Sequence, residues 1–182
     1  MTELTDQTLG IVGFGKIGRR TAQIAKAFGL QVLATAHHPQ KTVPEPGVDF
    51  VSLKTLLKQS DVISLHCPLT KESEHLINET TLSLCKNNAI LINTARGGLV
   101  DHAAVEKALR QGKLGYYAAD VAQVEPMAAD DPLRTAPRCV FTPHIAWAAK
   151  ETRQRLMDIA VENVKAFLRG TLQNVVNGGE IE

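Results

Sequence analysis

The chain has 182 residues, 44% of them hydrophobic and 21% charged, and its formal net charge is +1. This length is enough for one domain with a full core and too short for two domains of ordinary size. The balanced charge argues against a nucleic-acid partner and against a membrane surface held by charge, and no apolar run approaches membrane-spanning length.

The N-terminal segment and the cysteines indicate the compartment. Met1–Gln7 is polar and lacks the charged-then-apolar pattern of a secretory signal. Cys67, Cys85 and Cys139 are odd in number and far apart, which favours reduced thiols over a disulfide framework or a zinc site. We therefore expect a cytoplasmic protein without a metal site.

Short β-rich runs alternate with helical patterns along the chain, which predicts an α/β fold with a doubly wound parallel sheet in a single three-layer, Rossmann-like domain. The predicted strands are Leu9–Gly13, Gln31–Thr35, Asp49–Val51, Val62–His66, Ala89–Asn93, Gly115–Asp120 and Cys139–Thr142. The predicted helices are Lys16–Phe28, Leu53–Gln59, Glu79–Leu84, Ala103–Gln111 and Lys150–Arg169. The last helix has an apolar stripe that we expect to lie in the core, formed by Leu156, Ile159, Ala160, Val164 and Phe167.

The first strand, turn and helix form the most informative motif. Gly13-Phe14-Gly15-Lys16-Ile17-Gly18 follows an apolar run and opens a helical segment that Gly29 closes. This order matches the dinucleotide-binding fingerprint, in which Gly13 permits the tight turn, Gly15 lets the backbone approach a pyrophosphate and Gly18 allows close helix–strand packing. The helix N-terminus adds N–H donors and the positive end of the helix dipole. The context favours a nucleotide site over a purely structural turn.

The fingerprint lacks one residue. A carboxylate that holds the ribose 2′-OH is expected about 20 residues beyond the glycines. Here the second predicted strand runs into Ala36-His37-His38-Pro39. Without a carboxylate to repel it, a 2′-phosphate could be contacted by His37 and His38; equally, both histidines could be ordinary exposed loop residues. The sequence leaves the choice between NAD and NADP open.

Residues able to perform chemistry follow three later strands. Arg96 follows the fifth strand, Glu125 the sixth and His144 the last. Ligands collect at the carboxyl ends of such strands, so we expect these three side chains to share one edge of the sheet. A base oriented by a carboxylate, with a cation beside it, is what proton transfer to a carbonyl requires. Taken singly, Arg96 is more often a surface ion-pair partner, Glu125 a turn residue and His144 a structural histidine.

From Leu9 to about Asn177 the chain resembles the cofactor-binding domain of the D-isomer-specific 2-hydroxyacid dehydrogenases. The resemblance rests on five ordered motifs: GIVGFGKIG (Gly10–Gly18), HCPLT (His66–Thr70), LINTARGGLVD (Leu91–Asp101), DVAQVEP (Asp120–Pro126) and TPHIAW (Thr142–Trp147). Within the family, the His-Ile-Ala-Trp form looks most like hydroxypyruvate reductase or glycerate dehydrogenase.

The resemblance implies hydride transfer between a nicotinamide and C2 of a small 2-oxo or 2-hydroxy acid. His144 would move the proton, Glu125 would hold its imidazole and favour the protonated form, and Arg96 would pair with the substrate carboxylate. The family's cofactor contacts fall on Gly15, Lys16 and Ile17 at the pyrophosphate, on Cys67, Pro68, Thr94 and Ala95 at the adenosine and nicotinamide ribose, and on Asp120 at the carboxamide. From the residues alone, a packed strand-end thiol is the more usual role for a cysteine such as Cys67, because free cysteine behaves as a small hydrophobic residue.

The chain departs from the family pattern at Ala36, at His102 and in length. Family members more often have Glu or another polar residue at the position of His102, for which we expect only a local effect. They also have a second domain, built mainly from residues before the glycine motif, which here begins at Gly13. We therefore expect residues 1–177 to be the dinucleotide-binding domain, residues 178–182 to be a tail and the substrate domain to be absent.

Such a chain would bind cofactor with little or no turnover on its own, since productive placement of the substrate needs the second domain. A dinucleotide-sensing module of the corepressor type, which engages a protein partner, stays open as the alternative. The resemblance also implies a homodimer through the cofactor domain, with 103–111 and 124–137 as the candidate contacts.

Overall fold

The structure, a computed structural model, describes residues 3–36 and 43–176. Its helices and strands follow the predicted order, and each predicted boundary lies within one residue of the observed one. The strands are β1 (Thr8–Val12), β2 (Gln31–Thr35), β3 (Asp49–Phe50), β4 (Val62–Leu65), β5 (Ala89–Asn93), β6 (Leu114–Ala119) and β7 (Cys139–Phe141). The helices are α1 (Lys16–Ala27), α2 (Leu53–Gln59), α3 (Glu79–Leu84), α4 (His102–Arg110) and α5 (Lys150–Leu168), with short 3₁₀ turns at Gly97–Leu99 and Pro132–Arg134.

All seven strands form one sheet in the order β3-β2-β1-β4-β5-β6-β7, and every neighbouring pair is parallel. The strand order reverses between β1 and β4, which pair directly, with Leu9 opposite Val62 and Val12 opposite Leu65. The predicted doubly wound parallel sheet is confirmed. Its reversal point is where ligands bind in sheets of this kind, at the carboxyl ends of the strands.

Helices flank the sheet because successive strand residues point to opposite faces. Leu9 and Ile11 of β1 belong to an apolar cluster with Ala22 and Ala25 of α1. Val12 belongs to a second cluster, which extends through α2, α3 and α4 and includes Leu56, Leu57, Leu82, Val105 and Leu109. Alternate side chains of β1 thus pack into two different apolar clusters, and the glycine turn begins where this strand ends.

The helices of the sheet region begin in two different ways. Ser52, Asn78 and Asp101 cap α2, α3 and α4 with side-chain oxygens that accept backbone N–H groups of the first turn. In contrast, Gly15 precedes α1 at the N-cap position, and among the described residues no side chain caps this helix. The N–H groups of its first turn are therefore free of a described side-chain acceptor.

The chain divides into two compact units, the first ending at Pro143 and the second beginning at His144. The first contains the sheet with α1–α4, and the second contains α5. The expectation that the apolar stripe of α5 lies in the core is wrong: Ile159 is 51% exposed, Leu156 52%, Val164 59% and Phe167 71%, and Ala160 is exposed as well. Helical periodicity marks an apolar face without indicating what covers it, and this face is open to solvent. Within the two described ranges, no helix is both long and apolar enough to cross a membrane.

Candidate functional site

The glycine turn after β1 is held against the end of β4. Gly13 donates its N–H to the carbonyl of Thr35 at 2.9 Å and has a φ of +97°, in the left-handed region. A Cβ at Gly13 would lie 2.6 Å from the backbone nitrogen of Cys67. Only glycine fits both constraints, because other residues are strained at this φ and the obstructing atom is backbone. The turn therefore brings the predicted Cys67 position next to the predicted pyrophosphate turn.

The other two glycines of the motif differ from each other. A Cβ at Gly18 would lie 2.3 Å from the carbonyl oxygen of Gly13, so close packing of α1 on the turn requires glycine there. A Cβ at Gly15 would meet no described atom within 4 Å. Packing among the described residues therefore does not require glycine at position 15. Lys16 and Ile17, the first two helical residues, are exposed beside this open space.

The segment after β4 supplies half-buried groups. Burial raises the pKa of the Cys67 thiol, so this cysteine stays protonated near neutral pH. His66, which sequence reasoning did not single out, lies 2.9 Å from the Ser64 hydroxyl through Nε2. Burial lowers the pKa of His66 and favours the neutral ring. Pro68 is exposed, and its carbonyl accepts a hydrogen bond from Ser73 Oγ at 2.8 Å. These groups offer a neutral, partly apolar surface at the edge of the sheet.

The end of β2 is described only in part. Ala36 directly follows the strand and is half-buried. His37 and His38, the predicted contacts for a 2′-phosphate, lie outside the described residues, as does the tail predicted for 178–182.

A buried asparagine shapes the loop after β5. Asn93 is fully buried; its Oδ1 accepts the Ala95 N–H at 3.1 Å and its Nδ2 donates to the Arg96 carbonyl at 2.9 Å. These bonds hold the Thr94–Ala95–Arg96 turn from inside, while the Arg96 side chain itself is exposed and donates to the Ala95 carbonyl at 2.7 Å. The sequence did contain a signal for Asn93, since Asn at a strand end bonds to backbone groups a few residues on.

The loops that contain Arg96 and Glu125 are in direct contact. A Cβ at Gly97 would lie 1.9 Å from the Ala122 carbonyl oxygen, so only glycine lets the loops approach so closely. Gln123 Nε2 donates to the Val100 carbonyl at 2.9 Å, and Glu125 Oε1 accepts the Ala122 N–H at 3.1 Å. The first unit therefore brings the predicted cation and the predicted carboxylate onto adjoining loops.

Asp120 closes the end of β6. It is only 4% exposed, and its N–H donates to the Asn93 carbonyl at 3.0 Å. The Thr142 hydroxyl donates to the Asp120 carboxylate. Asp120 thus joins the carboxyl ends of β5, β6 and β7, which are neighbours in the sheet.

His144 opens the second unit. It is exposed and has a φ of +55°, a left-handed conformation uncommon for residues other than glycine. Non-glycine residues held in such conformations cluster at functional sites. Trp147, three residues on, is 47% exposed.

The expectation of a merely local effect for His102 is wrong. Its ring is 2% exposed, and Nδ1 lies 2.7 Å from Oδ2 of Asp131, which is 29 residues further along the chain. The ring also packs edge-on against Phe141, with centroids 6.0 Å apart. His102 therefore joins the N-terminus of α4 to the segment that follows Glu125.

Known proteins match this fold and these motifs. Residues 1–146 match the family described as D-isomer specific 2-hydroxyacid dehydrogenase, NAD binding domain. The chain is 43% identical over 177 residues to a hydroxypyruvate reductase of Blautia hydrogenotrophica, a match that spans 97% of this chain and 55% of that protein. It is 46% identical over 176 residues to a glycerate dehydrogenase of Methylorubrum extorquens, spanning 96% and 54%. An acyclic imino acid reductase, Bsp5, solved with NADPH and D-Arg, superposes with a TM-score of 0.87 at 34% identity and covers 96% of this chain and 55% of its own. The chain spans about half the length of the relatives it matches.

Proposed function

The chain belongs to the D-isomer specific 2-hydroxyacid dehydrogenases, as the NAD-binding domain of that family, and we propose that it binds the nicotinamide cofactor for hydride transfer. The substrate would be a small 2-oxo or 2-hydroxy acid of the hydroxypyruvate or glyoxylate type. The observation that supports this most is the open space at Gly15. Packing inside the described part of the chain requires Gly13 and Gly18, whereas Gly15 adjoins no atom that would demand glycine. A dinucleotide would require glycine at this position, because a side chain would keep its pyrophosphate away from the backbone.

The cofactor would be held along the carboxyl edge of the sheet. Gly15, Lys16 and Ile17 would donate backbone N–H groups to the pyrophosphate. Cys67 and Pro68 with Thr94 and Ala95 would contact the ribose and adenosine parts, and Asp120 would accept the carboxamide. When bound, the nicotinamide supplies or accepts the hydride.

The residues of the chain then act on the acid. Arg96 would bind the carboxylate and the adjacent carbonyl oxygen, since a guanidinium presents several donors in one plane. His144 would give a proton to the oxygen at C2 during reduction and take it back during oxidation. Glu125 would orient the His144 ring. The contact between the Arg96 and Glu125 loops at Gly97 supports the pairing of these two residues in one site.

For the 182-residue chain by itself we expect cofactor binding with little turnover. The hydroxypyruvate reductase and the glycerate dehydrogenase named above are about twice as long, the matches covering 55% and 54% of them. Correct positioning of the substrate supplies a large share of the rate enhancement in such reactions. A chain with only half of the relatives' length is therefore expected to lose most of the activity, not half of it. Neither relative supports the dinucleotide-sensing alternative.

The choice of cofactor and the assembly are further parts of the proposal. The absence of a carboxylate at Ala36 supports acceptance of NADP as well as NAD. Resemblance to the family supports a cytoplasmic homodimer, paired through α4 and residues 124–137, and the net charge of +1 supports the absence of a nucleic-acid or membrane partner. Sedimentation of the chain as a monomer would contradict the pairing.

Nuclear magnetic resonance tests the substrate part of the proposal. With NAD⁺ saturating, hydroxypyruvate cannot be reduced at C2, because NAD⁺ has no hydride to donate, so the complex persists long enough to titrate. We expect shifts to cluster at the Arg96 guanidinium, at the Ala122–Glu125 backbone and at His144. Arg96→Gln should abolish them, whereas Arg134→Gln, at an exposed arginine of the second 3₁₀ turn, should not. Equal binding of hydroxypyruvate by both variants would refute the role of Arg96.

A further inference from the structure

A short segment between β4 and α3 lies beside the backbone that follows Arg96. His75 donates its N–H to the Gly98 carbonyl at 2.9 Å, and Ile77 donates its N–H to the Leu99 carbonyl at 3.0 Å. The segment therefore holds the 3₁₀ turn that directly follows the predicted substrate-binding arginine.

The side chain of Gln123 joins this segment to the Glu125 loop. Its Nε2 lies 2.9 Å from the Val100 carbonyl oxygen and 3.0 Å from Nε2 of His75. A carbonyl oxygen can only accept a hydrogen bond, and an amide nitrogen can only donate. Both N–H groups of Gln123 are therefore in use, one toward each partner, and His75 accepts with a bare Nε2. A neutral imidazole with a bare Nε2 has its hydrogen on Nδ1.

The backbone of His75 is held in an uncommon conformation. Its φ is +48°, in the left-handed region that residues other than glycine seldom adopt. The N–H bond to Gly98 and a 2.9 Å bond from Asn78 Nδ2 to the His75 carbonyl fix the residue on both sides. Non-glycine residues held in such conformations cluster at functional sites. The strained backbone thus brings the ring to Gln123, which lies 48 residues further along the chain.

Two kinds of contact join the loops after β5 and β6. The close approach at Gly97 excludes a side chain there but is not directional. The hydrogen bonds of Gln123 are directional, because such bonds weaken steeply when they are misaligned. Glu125 follows two residues later, and its Oε1 accepts the Ala122 N–H, so the turn that contains the carboxylate encloses Gln123. The Gln123 bonds therefore fix the register between the two loops.

We infer that Gln123 and His75 are positioning residues: their hydrogen bond holds the Glu125 turn against the backbone after Arg96, and it thereby sets the affinity of the chain for a 2-oxo acid. His75 orients the amide of Gln123, which in turn bonds to the Val100 carbonyl. The effect on affinity rests on the proposed function, in which Arg96 binds the carboxylate of the acid, whereas the hydrogen bond itself does not.

Matched substitutions separate the hydrogen bond from the shape of the side chains. Gln123→Met retains the length of the side chain and removes both N–H donors. His75→Leu removes the acceptor, whereas His75→Gln supplies an amide oxygen that accepts in its place. Neither replacement of His75 is β-branched, so both are strained to a similar extent at the φ of +48°. Gln154→Met is the control for the loss of an exposed amide, since Gln154 bonds to Asp158 of the same helix at 2.9 Å.

Four measurements follow the hydrogen bond and its consequence. Long-range ¹H–¹⁵N magnetic resonance shows which ring nitrogen of His75 has the hydrogen, at a pH where the ring is neutral. Hydrogen exchange at Ala122 reports the turn that its N–H forms with Glu125. Titration with hydroxypyruvate in saturating NAD⁺ measures acid binding, and calorimetry with NADH measures cofactor binding.

We expect the hydrogen of the His75 ring to lie on Nδ1 in the unmodified chain and to move largely to Nε2 in Gln123→Met. Gln123→Met and His75→Leu should weaken hydroxypyruvate binding about threefold to tenfold, the equivalent of one hydrogen bond, whereas His75→Gln and Gln154→Met should stay within about twofold. Exchange at Ala122 should accelerate in the first two variants only. NADH affinity should stay within about twofold in all four variants, because the cofactor contacts lie on other loops.

A His75 ring with its hydrogen on Nε2 in the unmodified chain would overturn the inference, because that ring cannot accept from Gln123. Equal acid binding by His75→Leu and His75→Gln would overturn it as well, and so would equal losses of NADH and hydroxypyruvate affinity in Gln123→Met. If the unmodified chain binds NADH but no hydroxypyruvate, the acid site of the proposed function fails, and the inferred effect on affinity fails with it. The ring nitrogen and the exchange at Ala122 then still decide whether the hydrogen bond exists.

Discussion

The three glycines of the turn after β1 are required for different physical reasons. The left-handed φ of +97° at Gly13 and the 2.3 Å approach at Gly18 are demands of the fold. Gly15 meets neither demand, because its φ is ordinary and its surroundings are open. Folding therefore constrains Gly13 and Gly18, whereas Gly15 is the glycine that the proposed cofactor site would require.

Replacing each glycine by alanine separates the effect on folding from the effect on cofactor binding. Gly13→Ala and Gly18→Ala should lower the free energy of unfolding by about 1–3 kcal/mol or more, because the new Cβ meets backbone atoms. Gly15→Ala should change it by less than about 1 kcal/mol. The same Gly15→Ala change should weaken NADH binding at least about tenfold, since its Cβ enters the space of the pyrophosphate. Urea denaturation and calorimetry measure the two effects, and a strongly destabilised Gly15→Ala variant would contradict this division.

Asn93 is the residue on which the Arg96 loop depends. Asn93→Ala removes the partners of the Ala95 N–H and the Arg96 carbonyl, both only partly buried, and a fully buried group left unpaired costs about 1–3 kcal/mol. We expect a loss of stability in that range and weaker binding of hydroxypyruvate to the NAD⁺ complex. Asn87→Ala, at an exposed asparagine, should stay within about 0.5 kcal/mol in urea denaturation. Unchanged acid binding in Asn93→Ala would show that the turn holds its shape without this side chain.

At the scale of elements, Asp61 joins the amino ends of three strands. Its Oδ2 accepts the Thr8 N–H at 2.9 Å, its Oδ1 lies 2.8 Å from Lys86 Nζ, and its backbone carbonyl accepts the Ile90 N–H at 2.9 Å. Partial burial by itself would raise the pKa of Asp61, but the bonds from Lys86 and Thr8 outweigh it, and the pKa is lowered.

A lowered folded-state pKa makes the contribution of Asp61 depend on pH. The stabilisation is fully present above the unfolded-state pKa, near 3.8, and is lost as the pH falls through the lower folded-state value. Asp61→Asn should therefore cost about 1 kcal/mol at pH 7, and the difference from the unmodified chain should shrink below about pH 4. Urea denaturation from pH 7 to pH 3 measures this, with the exposed Asp130→Asn as the control. A difference that grows on acidification would contradict the assignment.

The exposed face of α5 also has an energetic consequence. Phe167, 71% exposed, should tolerate replacement by alanine at a cost of less than about 0.5 kcal/mol, because little apolar surface is lost from the core. Leu109 of α4 is fully buried, and Leu109→Ala should cost about 2–5 kcal/mol. Guanidinium denaturation of the two variants compares them. A cost for Phe167→Ala close to that of Leu109→Ala would show that the stripe is buried in solution.

These elements show what the sequence could and could not predict. Strand and helix boundaries were predictable because glycine turns, caps such as Asp101 and apolar runs are local signals. The face that α5 exposes, the pairing of His102 with Asp131 and that of Gln123 with His75 were not, since each depends on which distant segment packs where. Arg96 and Glu125 could be assigned to one edge because strand ends in a parallel sheet coincide, whereas the contact of their loops at Gly97 needed the structure.

At the scale of the whole molecule, the reversal of strand order between β1 and β4 brings the glycine turn, the Cys67 segment and the loops after β5 and β6 to one edge of the sheet. Each of these segments follows the end of a strand. Close backbone approaches at Gly13 and Gly97 and the side-chain amide of Asn93 hold the segments in place. The sheet therefore supports all the loops on which the cofactor site is proposed.

Calorimetric titration of the chain and of its Gly15→Ala variant with NADH and with NADPH decides whether this edge of the sheet binds the cofactor. We predict saturable binding of one dinucleotide per chain, at least about tenfold weaker in Gly15→Ala although that variant is folded. Tighter binding of NADPH would assign a 2′-phosphate site near Ala36, and tighter binding of NADH would leave the adjoining histidines without that role. Binding of neither dinucleotide, or equal binding by the Gly15→Ala variant, would contradict the assignment of this edge of the sheet as the cofactor site.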